Sequence, residues 1–599
     1  VIVNTIIDEN ITNLLNSQYK ITITKTDNIL DNDDYKFCYK NINDLRYITG
    51  IKHLLYYLVV NQKRNLSHLQ NVIINENDNF LKMDIHTKRN LELTESLRLK
   101  EKNYSLLWLL DNTKTAMGSR KLRAWIEEPL KNKKEIVKRY DVVDKLREEF
   151  ILCEDLRRNL YEIYDLERLS GRIALGNANA RDLLQLKNSL KVLPIMKNML
   201  NQIGFYKEID TIEELYQILE ASIYENPPVT LKEGYLIKEG YSKKLDELKE
   251  LRSGGKDFIS KFEMEERERT GIKNLKVGFN KVFGYYIEVS KGNLSLVTDE
   301  MGYIRKQTLA NCERFITPLL KEKEDLVLGA EEKIINLEYD LFIDIRNKAK
   351  EYITRLQKVS KIISEIDVLQ SFALVSEKYN YVRPVITETR NLKIIESRHP
   401  VVERVIKDEY VPNDIIMDEN TNVLLITGPN MAGKSTYMRQ LGITIIMAQI
   451  GCFVPATEAK LPVFDKIFTR IGASDDLVSG ESTFMVEMME ATNAIDNATA
   501  NSLILFDELG RGTATFDGMS LAQAILEYIH DRIGAKTLFS THYHELTELE
   551  RTLKHLKNKH VSAKEEDGNV IFLHKVCDGS VDKSYGINVA KLAGLPMEV

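Results

Sequence analysis

The amino-acid sequence predicts a multidomain protein with a mostly α-helical body, a β-rich insert, and a C-terminal α/β domain on a largely parallel sheet. Three observations predict it. From Leu424 onward, short apolar strands alternate with helical patterns. Between Pro318 and Pro384 there is no proline and one glycine, Gly329, while Leu356, Val359, Ile363, Ile366 and Leu369 recur at helical spacing. The segment from Leu275 to Ser290 interrupts the helical texture with β-branched and aromatic residues punctuated by glycine and asparagine.

Residues 1–80 read as a separate, partial unit. Strand-like Tyr19 to Thr24 precedes a polar loop rich in Asn and Asp and an apolar stretch from Ile51 to Val60, and nothing there suggests chemistry. Amphipathic helical stretches then run from Arg98 to Arg252, broken at Asn226-Pro227-Pro228. Leu275 to Ser290 reads as hairpin-like strands inserted at the far end of two helices, which makes a tip. From Arg267 to Lys291 the basic residues Arg267, Arg269, Lys273, Lys276, Lys281 and Lys291 outnumber the acidic Glu268 and Glu288, and Arg305 and Lys306 follow. Basic residues among aromatics suit contacts to a phosphate backbone, which position a protein on a duplex without reading its sequence. Charge alone equally fits an ordinary solvated β surface. A single helix from Ala330 to Asn380 would extend about 75 Å, the length of a lever or an arm.

The chemistry concentrates after Leu424. An apolar strand runs into Gly428-Pro429-Asn430-Met431-Ala432-Gly433-Lys434-Ser435-Thr436, a Gly-x-x-x-x-Gly-Lys-Ser phosphate cradle. Its two glycines let several backbone N–H groups converge on phosphate oxygens, and the helix opening at Lys434 adds the positive end of its dipole. In this pattern Lys434 reaches the β and γ phosphates of a nucleoside triphosphate and the Ser435 hydroxyl holds Mg2+. Ser479 to Met488 opens with small hydroxylated residues and continues as a helix, which is either an anion site at the helix start or an ordinary N-cap. A second apolar strand, Ser502 to Phe506, ends in Asp507 and Glu508: the first suits Mg2+ support, the second polarisation of the attacking water. A third, Thr537 to Thr541, ends in His542, placed to meet the γ phosphate or that water. His542, His544 and Glu545 make a poor helical zinc motif, because Glu548 stands where its second histidine belongs.

At 599 residues, 43% of them hydrophobic, the chain is long enough for several domains with sizeable cores. No run of about 18 apolar residues occurs, so no membrane span is expected. Cys38, Cys153, Cys312, Cys452 and Cys577 are widely spaced and read as reduced structural thiols of a cytoplasmic protein. The net charge of -6 makes no global case for nucleic acid, so DNA contact has to come from local basic patches. A start at Val1 and a stop at Met597-Glu598-Val599 read as a fragment.

On four ordered motifs the chain resembles the MutS family of DNA mismatch repair ATPases: Thr427 to Thr436, Ser482 to Met488, Asp507 to Thr513, and Ser540 to Leu546. The likeness extends upstream through Ser397 to Val401, Leu275 to Phe279, Glu266 to Gly271 and Met117 to Arg120. It implies a two-fold homodimer whose lever helices carry clamp domains that close around double-stranded DNA, and an ABC-type P-loop ATPase whose two nucleotide sites are each completed by the partner protomer. On this likeness Ser482 caps ATP in trans, Glu508 is the hydrolytic base, Asp507 and Ser435 serve Mg2+, His542 senses the γ phosphate, and Tyr410 stacks on adenine. The clamp lysines Lys273, Lys276, Lys281 and Lys291 are the expected DNA contacts, and a MutL-type matchmaker is the expected downstream partner. The implied division is a partial connector over 1–80, a lever and core over 81–239 and 331–390, a clamp over 240–330, and the ATPase over 391–599. Ala514 departs from the family, where a small hydroxylated residue is frequent. The single Phe-x-Glu in the chain is Phe506-Asp507-Glu508, so the family's mismatch-reading wedge, with its N-terminal domain, is expected to be missing, together with the C-terminal tail.

Two other classes compete. One is a DNA clamp of related type that acts on branched or recombining DNA; the other is an ABC-type ATPase of transport or chromosome organisation. Absence of an expected membrane span counts against transport, and one lever of modest length counts against chromosome organisers.

Overall fold

The computed structural model describes residues 1–17, 21–63, 69, 71–72, 74, 79–97, 99–280, 284–430, 432–472, 483–566 and 569–580. The chain divides into two compact units, one made of Val1–Val72, Ile163–Leu193 and Asp210–Val359, the other of Ile73–Glu162, Pro194–Ile209 and Ser360–Val599.

In the first unit the helices Lys243–Thr270 and Pro318–Lys350 pack together and carry the insert between them. The first stops at Gly271. The second starts at Thr317, whose side chain accepts the Leu320 N–H while Pro318 occupies the first turn, where its missing donor costs nothing. Between them lies a four-stranded antiparallel sheet in the order Lys276–Asn280, Gly284–Ser290, Cys312–Ile316, Ile304–Thr308. The expected hairpin is its first pair. Alternation along Gly284–Ser290 points Ile287 and Val289 inward, where they meet Ile259 and Phe262 of one helix and Leu320 of the other. Glu324, almost fully buried, accepts the Tyr285 N–H at 2.7 Å and so ties the hairpin to the second helix.

Three expectations change here. The proposed single helix from Ala330 to Asn380 is two helices, Pro318–Lys350 and Ile353–Lys378. No glycine or proline breaks it: Glu351 and Tyr352 bond three residues back instead of four, to Lys348 O at 3.1 Å and Ala349 O at 3.2 Å, and this tightened turn interrupts the ladder. Two of the basic residues counted at the tip are occupied within it. Arg267 donates to Leu275 O at 2.6 Å and pairs with Glu263, while Arg269 pairs with Glu266 at 2.7 Å. Near the start of the chain the strand is only Thr24–Lys25, pairing in parallel with Ile2–Val3, and part of the predicted stretch, Tyr19 and Lys20, lies outside the described residues.

The second unit is built on a seven-stranded sheet in the order Asn569–Asp578, Leu556–Glu566, Val423–Thr427, Lys536–Ser540, Leu503–Asp507, Lys466–Arg470, Lys82–Met83. All pairings are parallel except the first, an antiparallel hairpin. Strands buried on both faces read as continuous apolar runs, and Val423, Leu424, Leu425 and Ile426 are fully buried. The helix Lys434–Ile450 is enclosed nearly all round, so its last carbonyls cannot turn to water. Arg139 donates to Ile450 O at 2.7 Å and Tyr140 to Ala448 O at 2.6 Å, both from the helix Lys133–Glu148. The Arg139 guanidinium also lies 3.3 Å from the centre of the Trp125 ring, a cation–π contact. A smaller sheet of Asn413–Met417, Leu392–Ser397, Glu458–Leu461 and Val385–Ile386 completes the unit. Among the described residues no helix is long and apolar enough to cross a membrane.

Candidate active site

Three parallel strands, Val423–Thr427, Lys536–Ser540 and Leu503–Asp507, lie side by side in register, with Asp507 opposite Ser540. Their carboxyl ends therefore deliver three loops to one place, where ligands of such sheets bind. Gly433 opens the helix Lys434–Ile450 at φ 103, a left-handed conformation that a side chain would strain, and no side chain caps that helix. Its first N–H groups are thus left for an anion. Lys434, buried, donates from Nζ to Gly428 O at 2.8 Å and Pro429 O at 3.2 Å, and lies 3.5 Å from Glu508. Burial lowers its pKa, and the neighbouring Glu508 and Asp507 charges oppose that shift.

Asp507 and Glu508 separate into two environments. Asp507 accepts the Ser435 hydroxyl at 2.5 Å on one oxygen and the Ser540 hydroxyl on the other. Glu508 faces three nitrogen groups: His542 Nε2 at 2.5 Å, Arg511 Nη1 at 2.5 Å, and Lys434 Nζ at 3.5 Å. Burial alone would raise the pKa of Glu508, but the contact with His542 and the charges of His542, Lys434 and Arg511 outweigh it and hold it down at about 2. Glu508 is an anion throughout the physiological range.

Two cavities flank the phosphate loop. One of about 340 Å³ is lined by Asn430, Glu508, Arg511, Thr541 and His542. The other, about 460 Å³, is lined by Tyr410, Ala432, Gly433, Thr436, Gln440 and His574, among others. Tyr410 donates its hydroxyl to Gln440 Oε1 at 2.6 Å, and burial pushes its pKa up to about 12. His574 Nδ1 lies 2.9 Å from Ala432 O. One cavity holds the carboxylate and histidine, the other an aromatic ring, and the phosphate loop lies between them.

The structure thus brings Tyr410, Gly428, Pro429, Asn430, Ala432, Gly433, Lys434, Ser435, Thr436, Asp507, Glu508 and His542 into one neighbourhood. Met431 and Ser482 lie outside the described residues, as does Lys281 of the insert. In the other unit Lys273, Lys276 and Lys291 are exposed, and among the described residues none of the three forms an ion pair. Ala514 stands at the N-cap of the helix Thr515–Tyr528 without a side-chain bond. Sequence reasoning missed Ser540, Arg511, Gln440 and His574. Ser540 and Arg511 were available as neighbours of His542 and Glu508, whereas Gln440 and His574 are brought in by tertiary packing.

Behind Tyr410, the buried His399 accepts the Val402 N–H on Nδ1 at 3.2 Å. Burial and the Arg439 charge push its pKa down to about 3. An unfolded histidine titrates near pH 6.5, so below that pH the unfolded chain takes a proton that the folded one refuses. Acidification should therefore cost about 1.4 kcal/mol per pH unit through this residue, from pH ~6.5 downward until the folded form titrates. His399→Asn should be less stable at pH 7, with the gap to the parent narrowing by about 3 kcal/mol by pH ~4 in urea titrations. A constant gap would mean that His399 is protonated in the fold.

Comparison with known proteins places this geometry. Residues 86–373 match the family model described as MutS domain III, and residues 424–599 that described as MutS domain V. The DNA mismatch repair protein MutS of Bacillus cytotoxicus is 56% identical over 603 residues, an alignment that covers 100% of this chain and 67% of that protein. Proteins of the same name from Bacillus cereus and Bacillus thuringiensis are 56% identical over 591 residues, covering 98% of this chain and 66% of theirs. The chain thus spans about two thirds of the length of these relatives.

Proposed function

Because this chain belongs to the MutS family of DNA mismatch repair proteins, we propose that it binds and hydrolyses ATP at the phosphate loop and couples that cycle to a clamp on double-stranded DNA. The observation that carries this reading is the separation of two consecutive carboxylates at the end of one strand, Asp507 bonded to the hydroxyls of Ser435 and Ser540 and Glu508 facing His542, Arg511 and Lys434, beside a cradle with a buried lysine. Lys434 neutralises the β and γ phosphates, and the free N–H groups behind Gly433 share their charge. Glu508, ionised and held next to His542, orients the attacking water and takes its proton. His542 bridges that carboxylate to the γ phosphate, and Arg511 balances its other oxygen. Tyr410, fixed by Gln440, presents its ring to the adenine.

Mg2+ fits the hydroxyl and carboxylate oxygens of Ser435 and Asp507, which are the hard donors it takes. When bound, it neutralises charge on the transferring phosphoryl group. Ser435, paired with Asp507, is already oriented for that role.

The rest of the reading follows the family. The chain acts as a homodimer in the cytoplasm, Ser482 completes the nucleotide site of the other protomer, exposed Lys273, Lys276 and Lys291, with Lys281, contact DNA phosphates, and a MutL-type matchmaker receives the signal. We divide the chain into connector, lever and core, clamp and ATPase regions as its sequence suggests. Contacts of Arg139 and Tyr140 with the end of the phosphate-loop helix support a mechanical link from nucleotide to helical body.

Mixed dimers test the shared sites. Lys434→Ala and Ser482→Arg protomers are each expected to be nearly inactive alone, yet their mixture should regain activity, since one of two composite sites then carries neither lesion. Steady-state ATP hydrolysis measures it, with heterodimer formation checked by tagged pull-down. A mixture no more active than its parents assigns Ser482 to its own protomer.

A further inference from the structure

The loop after Asp507 is held from three sides by groups that the phosphate site does not use. Glu487, on the helix Thr483–Asn497 and only 5% exposed, accepts the Gly510 N–H on Oε1. Tyr543, next to His542, donates its hydroxyl to the Gly510 carbonyl at 3.0 Å. The third side is the helix Thr515–Tyr528: a Cβ on Gly510 would lie 2.4 Å from Gly518 O, so the two backbones touch where no side chain fits. Phe484 packs against the same loop two residues on, since a Cβ on Gly512 would lie 2.9 Å from the Phe484 Cβ.

This bracing has something to restrain. Glu508 adopts φ 54, in the left-handed region. For a residue with a Cβ this costs about 1 kcal/mol or more and persists only where the surroundings over-determine it. The same backbone turn aims the Glu508 carboxylate at His542 and Lys434. Gly510, two residues on, is the point at which the loop is gripped through both its N–H and its C=O.

We propose that Glu487 is a positioning residue for hydrolysis, fixing the Glu508 carboxylate through the Gly510 amide. The helix Thr483–Asn497 and the hydrolytic carboxylate then move as one body, so a shift of that helix changes turnover of the protomer's own nucleotide without contacting it. Tyr543 supports the same grip from the carbonyl side. The inference rests on Glu508 as the hydrolytic base, and the test separates the two.

Glu487→Ala, Glu487→Gln, Tyr543→Phe and Glu508→Gln are compared in the full chain for kcat, KM, binding of a fluorescent ATP analogue and thermal midpoint. Misplacing a catalytic group by about 1 Å can cost on the order of a hundredfold in rate, so Glu487→Ala is expected to lower kcat by about 30-fold. Its nucleotide affinity should stay within about twofold of the parent, because no group that touches phosphate has changed. Glu487→Gln keeps an acceptor for the Gly510 N–H and should recover to within about threefold of the parent. Adding Glu487→Ala to Glu508→Gln should lower the rate no further, since both act through one carboxylate. Equal activity of Glu487→Ala and parent, equal loss in Glu487→Gln and Glu487→Ala, or a loss of kcat accompanied by lost affinity and a lowered thermal midpoint would each overturn the positioning role alone. Full turnover by Glu508→Gln would remove the hydrolytic reading itself, and the proposal with it.

Discussion

Lys434→Ala is expected to lose ATP binding, and Glu508→Gln to keep binding while turnover stops. In its proposed role the lysine would supply charge-assisted hydrogen bonds to two phosphates, each worth ~1.5–3 kcal/mol, so its removal should weaken affinity by about a hundredfold or more. It is also buried and bonded to the loop carbonyls of Gly428 and Pro429, so Lys434→Met is the companion that keeps volume while removing charge. Glu508→Gln keeps shape and removes only the group that takes the proton from water, a step worth on the order of 10²–10⁴ in rate. Equilibrium titration with labelled ATP, followed by single-turnover hydrolysis, separates the two. Equal loss of affinity in both variants would reverse the assigned roles.

DNA binding is expected to fall steeply with salt. In the proposed dimer six described insert lysines, Lys273, Lys276 and Lys291 from each protomer, would face the duplex. If each neutralises one phosphate they contribute about -5 to the slope of log affinity against log salt. Replacing the three by Gln should remove most of that slope without sequence preference. A slope unchanged by the triple substitution would place the phosphate contacts elsewhere. The same chain should not prefer a G·T heteroduplex by more than about tenfold, or ~1.4 kcal/mol. Mismatch reading needs a wedge that exploits an easily unstacked step, and the single Phe-x-Glu of the 599 residues lies at the end of the strand Leu503–Asp507.

Much of this architecture was legible because it rests on local signals. The continuous apolar run at Val423–Thr427 and the glycine-rich turn after it announce a buried parallel strand leading into a helix, and the structure has both, with no side chain capping that helix. The aromatic and β-branched run after Leu275 announced the hairpin. What stayed hidden depends on pairings and backbone bonding that composition and spacing do not report. Arg267 and Arg269 count as free charge in a sequence, yet Glu263 and Glu266 on the same helix hold them. Gln440 is an ordinary helix residue until the fold sets the Tyr410 hydroxyl 2.6 Å away, and His574 meets Ala432 only through the strand Asn569–Asp578. The break at Glu351 and Tyr352 has no glycine or proline to mark it, because changing from four-residue to three-residue bonding needs neither. Glu487 belonged to a recognised motif, but its grip on Gly510 spans two elements and no spacing rule reports it.

The proposed function requires nucleotide binding at Lys434 and duplex binding at the insert to be coupled in one molecule. Linkage makes this measurable in both directions: if a non-hydrolysable ATP analogue changes duplex affinity by some factor, saturating duplex must change affinity for the analogue by the same factor. Both constants are taken on Glu508→Gln protein with Mg2+ at one salt concentration, by fluorescence anisotropy of labelled DNA and of labelled nucleotide. Such coupling predicts equal factors of about 5 or more, the usual range for coupled sites. It also predicts that both factors vanish in Lys434→Ala. Duplex and nucleotide affinities that are each indifferent to the other ligand would contradict it.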